Sequence, residues 1–197
     1  MTSKPDFSAL VTSRICHDLV NPISAIGNGV ELMLMDGSAK GPELALITES
    51  VADANARIRF FRIAFGASGS DRMSSDEVRS VLAGVGRGGR LSYSWHSNTD
   101  LARAEVRLAF LAIQCCETVL PYGGTITVRQ TADNWRVLAQ GSRFKVDPAL
   151  WGSLTAPGSP GLVTPANVHF ALLPDAAGQM GRRIQPDSGE AGMSISF

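Results

Sequence analysis

The sequence predicts an α+β fold: an N-terminal helical hairpin that pairs into a dimeric four-helix bundle, followed by an α/β sandwich domain. Three observations carry this. Residues 6–35 and 42–65 hold apolar side chains at helical spacing. A polar Gly/Ser stretch, GASGSDRMSS at 66–75, then interrupts the pattern. Beyond it, short alternating runs flank Pro121-Tyr122-Gly123-Gly124 and Asp133-Asn134, which are turn signals between strands. The expected domains are 1–68 and 74–197.

In the first helix, about 100° per residue places Leu19, Ile23, Ile26, Val30 and Met33 in one narrow arc. His17 falls opposite that arc, among Ser13, Asn21, Ser24, Asn28 and Glu31, with Leu10 and Val20 at the edge. Asp36-Gly37 and Gly41-Pro42 turn the chain. In the second helix Leu44, Ile47, Val51, Ala54, Ile58, Phe61 and Phe65 alternate steps of three and four, an a/d seam. Gly66 fits the residue just past its end. A hairpin with two apolar seams has too little partner surface of its own, so a homodimer is expected.

After the hinge, Ser75 is read as the cap of a short helix at 76–85, which GRGG ends. Leu91–His96 alternates like a strand, and 101–120 reads as one long helix. Thr125–Gln130 and Trp135–Ala139 read as a hairpin. Helical pieces are expected near 148–153 and 165–178, with Pro174 a candidate break in the latter. Arg182–Ile184 and Met193–Phe197 read as a closing hairpin.

Composition narrows the function. Eighteen basic and eighteen acidic residues give no net charge, which argues against a nucleic-acid partner. No apolar run reaches membrane-spanning length, and the N-terminus lacks the apolar core of a signal peptide. The three cysteines, Cys16, Cys115 and Cys116, form no CxxC pair and are read as reduced and intracellular.

The chemistry centres on His17. Asp18 follows it directly and can orient the imidazole or accept its proton. Pro22 removes one helical hydrogen bond, to the Asp18 carbonyl, yet the apolar period continues to Met33. Near neutral pH an unprotonated imidazole is a competent nucleophile toward phosphorus. Exposure suits a donor that is itself a protein.

"CHDLVNPISAIGNGVELM" resembles the H-box of two-component histidine kinases, H-[ED]-x-x-N-P, at His17, Asp18, Asn21 and Pro22. "CETVLPYGGTITVRQ" is similar to the end of the kinase ATP-binding domain's first conserved box and the strand after it. The asparagines of that box should stand at 111 and 115, where this chain has Leu111 and Cys115. The next box, D-x-G-x-G, is replaced by "LAQGSRFKVDP", and "GSPGLVTPAN" stands in place of a glycine-rich lid. The second domain therefore resembles a degenerate kinase catalytic domain without ATP.

Taken together the chain resembles the ChpT family of histidine phosphotransferases. The resemblance implies a dimeric cytoplasmic protein that binds no cofactor itself. His17 would accept a phosphoryl group from the receiver domain of a hybrid histidine kinase. It would pass it to response-regulator receivers that control cell cycle, motility or development. Mg²⁺ would come with the receiver. Asp18 would orient the imidazole; Leu10, Ser13, Arg14, Val20, Asn21 and Ser24 are candidate receiver contacts. The polar four of these also fit an ordinary solvated face, and Val20 fits a partner-helix contact equally well.

Other features are read as structural: His96 and His169, the Cys115-Cys116 pair, Trp95, Trp135 and Trp151, and the GRGGR loop at 86–90. Two other functions share the same residues. One is an ATP-dependent histidine kinase with a divergent pocket. The other is a non-catalytic dimeric adaptor for receivers.

Overall fold

The structure, a computed structural model, describes residues 7–36, 41–66, 71–97, 100–132, 134–156, 163–189 and 192–197. The Gly37 turn, residues 67–70 of the hinge, Asp133 and the first half of GSPGLVTPAN lie outside the described residues.

Helix α1 (Phe7–Asp36) runs unbroken through Pro22, as its apolar period predicts. Helix α2 (Pro42–Ala64) starts on a proline, whose missing N–H is one of the donors left without a helical partner there anyway. The two helices pack side by side. They approach closely at Gly29, where an added Cβ would run into Ile47. Much of the predicted apolar arc and seam nevertheless faces outward in the single chain: Ile23, Val30, Leu44, Val51 and Ile58 are all exposed.

The far end of α2 behaves differently. Phe60, Phe61, Ile63 and Ala64 are buried, and they are buried in the second domain. A chain of ring contacts runs from Phe65 through Phe61 and Phe60 to Phe110, then Trp95, Trp135 and Phe197. Fully burying side chains of this size stabilises by roughly 1.5–3 kcal/mol each. Arg103 and Arg107 add donors to the carbonyls of Arg62 and Ala64 in the last turn of α2. The hairpin is thus anchored at its base to the second domain.

That domain is a two-layer α+β unit. Strand β1 (Arg72–Met73) pairs with β3 (Leu101–Ala102) in a small antiparallel ladder. Helix α3 (Ser75–Gly86) lies between them in sequence, before β2 (Leu91–His96). Helix α4 (Arg103–Thr118) leads to the hairpin β4 (Gly124–Thr131) and β5 (Asn134–Gln140). Helix α5 (Pro148–Ser153), a 3-10 turn at Pro165–Asn167 and α6 (His169–Gln179) precede the closing hairpin β6 (Gln185–Gly189) and β7 (Gly192–Ser196). The main sheet has the order β2-β4-β5-β7-β6, with β2 and β4 parallel and the other pairs antiparallel. Period-two alternation sends Ile126, Val128, Trp135, Val137 and Ala139 into the core, while Arg129 and Arg136 face out.

Four local expectations are corrected. The cap of α3 is Ser74, whose side chain accepts from the Glu77 N–H; Ser75 is the first helical residue. The long helix begins at Arg103, because Leu101–Ala102 is drawn into the ladder with β1. Pro174 does not split α6: Phe170, Leu173, Ala176 and Ala177 on both sides of it are buried and hold one helix. The last hairpin starts at Gln185. Arg182 instead finishes α6, its N–H donating to the Ala177 carbonyl after Gly181 at φ 67°, with its guanidinium on Glu105.

Candidate functional site

Pro22 has no N–H, so the Asp18 carbonyl loses its helical partner one turn beyond His17. Asn21, Ser24, Asn28 and Glu31 are exposed, as the helical arithmetic predicts. Leu10, Ser13, His17 and Val20 hold helical backbone positions in α1, but their side chains lie outside the described ones.

Asp18 does not point freely into water. Its side chain is 14% exposed, and its Oδ2 stands 3.0 Å from Arg14 Nη2, one turn back. The other end of that guanidinium donates to the Ala166 carbonyl at 3.1 Å. The predicted site residues Arg14, Asp18 and Asn21 therefore converge on the seam between α1 and the second domain. Ser24 stays on the exposed face.

A cavity of about 530 Å³ opens at this seam. Asp18 and Asn21 contribute from α1, Asp53 and Arg57 from α2, the Arg87–Gly89 turn from the end of α3, and Glu117 from α4. Tyr93 donates to Glu117 Oε1 at 2.6 Å. Burial pushes the Glu117 carboxyl above the usual carboxylate range, opposed first by the Arg57 charge. Burial, then the Glu117 charge, pushes the Tyr93 phenol well up from its ordinary value. The GRGGR loop thus forms one wall of a charged cleft. Tyr93, Arg57 and Glu117 were missed in the sequence. A lone charged residue, Glu117, in the run Leu108–Leu120 was the available signal.

The other histidines sit elsewhere. His96 is exposed at the end of β2. His169 is 1% exposed, and among the described residues neither ring nitrogen has a hydrogen-bond partner. Burial, helped by the Arg14 charge, pushes its pKa down to about 3. An unfolded histidine titrates near 6.5. Between these values the unfolded chain binds more protons, so His169 favours folding fully above about pH 6.5 and progressively less below it. The loss reaches at most about 1.4 kcal/mol per pH unit. Urea midpoints should fall between pH 6 and pH 4, and His169→Leu should flatten that acid limb without loss at pH 7.

The positions where a kinase would carry asparagines are fully buried: Leu111 and Cys115 are both 0% exposed in the core face of α4, and α6 packs against the same helix. Cys115 and Cys116 are free and buried, and burial raises both thiols well above their ordinary value. Among the described residues no three His, Cys, Asp or Glu side chains gather as a metal-ligand set, and no helix is long and apolar enough to cross a membrane.

Comparison with known proteins agrees with this layout. Residues 75–192 match the model of the histidine phosphotransferase C-terminal domain. The protein phosphotransferase ChpT of Brucella abortus (strain 2308) is 34% identical over 150 residues, covering 73% of this chain and 71% of that protein. A solved structure described as that of a bacterial phosphotransferase superposes with a TM-score of 0.83 at 28% identity, over all of this chain and 97% of the other. Fold and sequence together define a protein phosphotransferase acting in a phosphorelay. The chain belongs to the histidine phosphotransferase family.

Proposed function

We propose that this protein relays phosphate between receiver domains through His17. One observation carries the reading: H-D-x-x-N-P stands on an unbroken helix beside a charged cleft, while the kinase nucleotide positions are filled with core side chains. An imidazole nitrogen of His17 attacks the phosphorus of an aspartyl phosphate on a hybrid-kinase receiver. The N–P bond forms, the P–O bond breaks, and the donor carboxylate leaves. The second step reverses this toward the aspartate of a response regulator. Asp18 orients the imidazole. The receiver brings the Mg²⁺ that neutralises charge on the moving group. This chain binds no nucleotide and works in the cytoplasm. Its response regulators are those of cell-cycle, motility or developmental control.

Leu10, Ser13, Val20, Asn21 and Ser24 form the receiver contact on α1. Donor and acceptor compete for that one surface, because each must bring an aspartate to His17. The complexes are transient, with interfaces at the small end of the known range.

The working form is a homodimer, its four-helix bundle closed by the outward apolar stripe of Ile23, Val30, Leu44, Val51 and Ile58. Val51→Glu with Ile58→Glu should give a monomer by sedimentation velocity. Both sites are exposed within one chain, so circular dichroism should stay unchanged.

A transfer assay tests the function. The protein is incubated with ATP, Mg²⁺ and radiolabel, alone and with a phosphorylated hybrid-kinase receiver. Acid-labile label that needs the receiver and disappears in His17→Ala is the expected result. Label from ATP alone establishes a kinase instead, and no label under either condition leaves the adaptor.

A further inference from the structure

Arg14 reaches in two directions with one planar fork. Nη2 holds the Asp18 carboxylate at 3.0 Å, and Nη1 holds the Ala166 carbonyl at 3.1 Å, across 152 positions of sequence. A guanidinium has the fixed geometry for two acceptors at once, which an ammonium lacks. Its side chain is 21% exposed, so the pair is only partly screened by solvent.

The second-domain end of this bridge is stiff. Pro165 fixes the backbone just before Ala166. Asn167 and Thr164 close the turn reciprocally, with the Thr164 N–H donating to Asn167 Oδ1 at 2.6 Å. The chain then enters α6, which is packed on α4. On α1, Val11 and Ile15 flank Arg14 and pack against the same core. Contacting a receiver would require Arg14 to leave both of its partners.

We propose that Arg14 is a positioning residue of the phosphotransfer site. It fastens the carboxylate that follows His17 to the 164–167 turn, so that the second domain sets where Asp18 stands. This deepens the His17 reading and rests on it. The second domain then acts on the chemistry of the hairpin directly, not only by offering surface to receivers.

The test uses the full chain and potassium phosphoramidate, a small donor that phosphorylates imidazole with loss of ammonia and needs no receiver. Phosphohistidine is followed by ³¹P NMR, and folding by thermal melting. Arg14→Ala should slow phosphorylation about tenfold, a loss of about 1.4 kcal/mol of transition-state stabilisation. Arg14→Lys should recover only part of the rate, because it cannot span both acceptors. Asn167→Ala, which removes the side chain that closes the 164–167 turn, should slow the reaction in the same direction.

An unchanged phosphoramidate rate in Arg14→Ala and Asn167→Ala overturns the proposal, whether or not receiver transfer weakens. A fall in melting temperature with the rate per folded molecule intact also overturns it. Full rescue by Arg14→Lys does so too, since charge alone would then suffice. Transfer from a phosphorylated receiver that persists in His17→Ala refutes the His17 reading itself, which separates the two failures, because exposed His96 can take label from phosphoramidate but carries no receiver motif.

Discussion

Replacing His17 with alanine is expected to reduce phosphoryl transfer from a charged receiver by at least about 1000-fold, to background. The size follows from what is removed. A covalent relay with no nucleophile has no intermediate, so the loss is not a matter of degree as it is for orienting groups. No other histidine can take over. His169 is 1% exposed and sealed in the core, where no receiver aspartate can reach it. His96 is exposed, but it ends a strand, and the residue after it is Ser97 where His17 is followed by Asp18. Buried Cys115 and Cys116 keep their protons and are equally out of reach. The rate should be taken per folded molecule, with the melting curve of His17→Ala recorded beside it. Residual acid-labile label above background in that variant, located by peptide mapping, would move the site elsewhere. Asp18→Asn should retain measurable transfer, because the nucleophile survives and only its orientation suffers.

The long elements were legible because their signals repeat. A helical period over the length of α1 outvotes Pro22, and alternation through β4 and β5 sets both strands and the face they bury. Elements without room to repeat were not legible. The two-residue strands β1 and β3 carry no period, and only their pairing defines them. The α3 cap was readable after all: Ser74 stands three residues before Glu77, the spacing of a capping box, whereas Ser75 stands three before Val78. At the site the contiguous motif could be seen. The cleft around it could not, because Tyr93, Arg57 and Glu117 come from three separate elements. The Arg14 bridge ends on a backbone carbonyl, and a carbonyl belongs to every residue alike. The bridge could not be read from α1 alone, because it needs the second domain placed against that helix.

Restoring the kinase asparagines is expected to damage the fold without restoring nucleotide binding. Leu111 and Cys115 lie one helical turn apart on α4, and both are fully buried. An asparagine there places an amide in an apolar core. Each unsatisfied polar group costs about 1–3 kcal/mol, and truncating a buried leucine costs about 2–5 kcal/mol besides. Leu111→Asn alone should therefore destabilise by about 4 kcal/mol, near 10 °C of melting temperature for a chain this long. With Cys115→Asn the loss approaches the whole stability of an ordinary domain, about 5–15 kcal/mol. A nucleotide phosphate or its metal needs a wet cleft with oxygen ligands at the surface of the helix. Here the wet cleft lies on the hairpin side of Glu117, and the face holding Leu111 and Cys115 is closed by packing. On the proposed reading, the packing around the two positions matters as much as their identity. Neither single variant should gain label from ATP, and Leu111→Asn should melt early. A variant that melts like the parent and binds nucleotide would mean that the core face of α4 opens in solution.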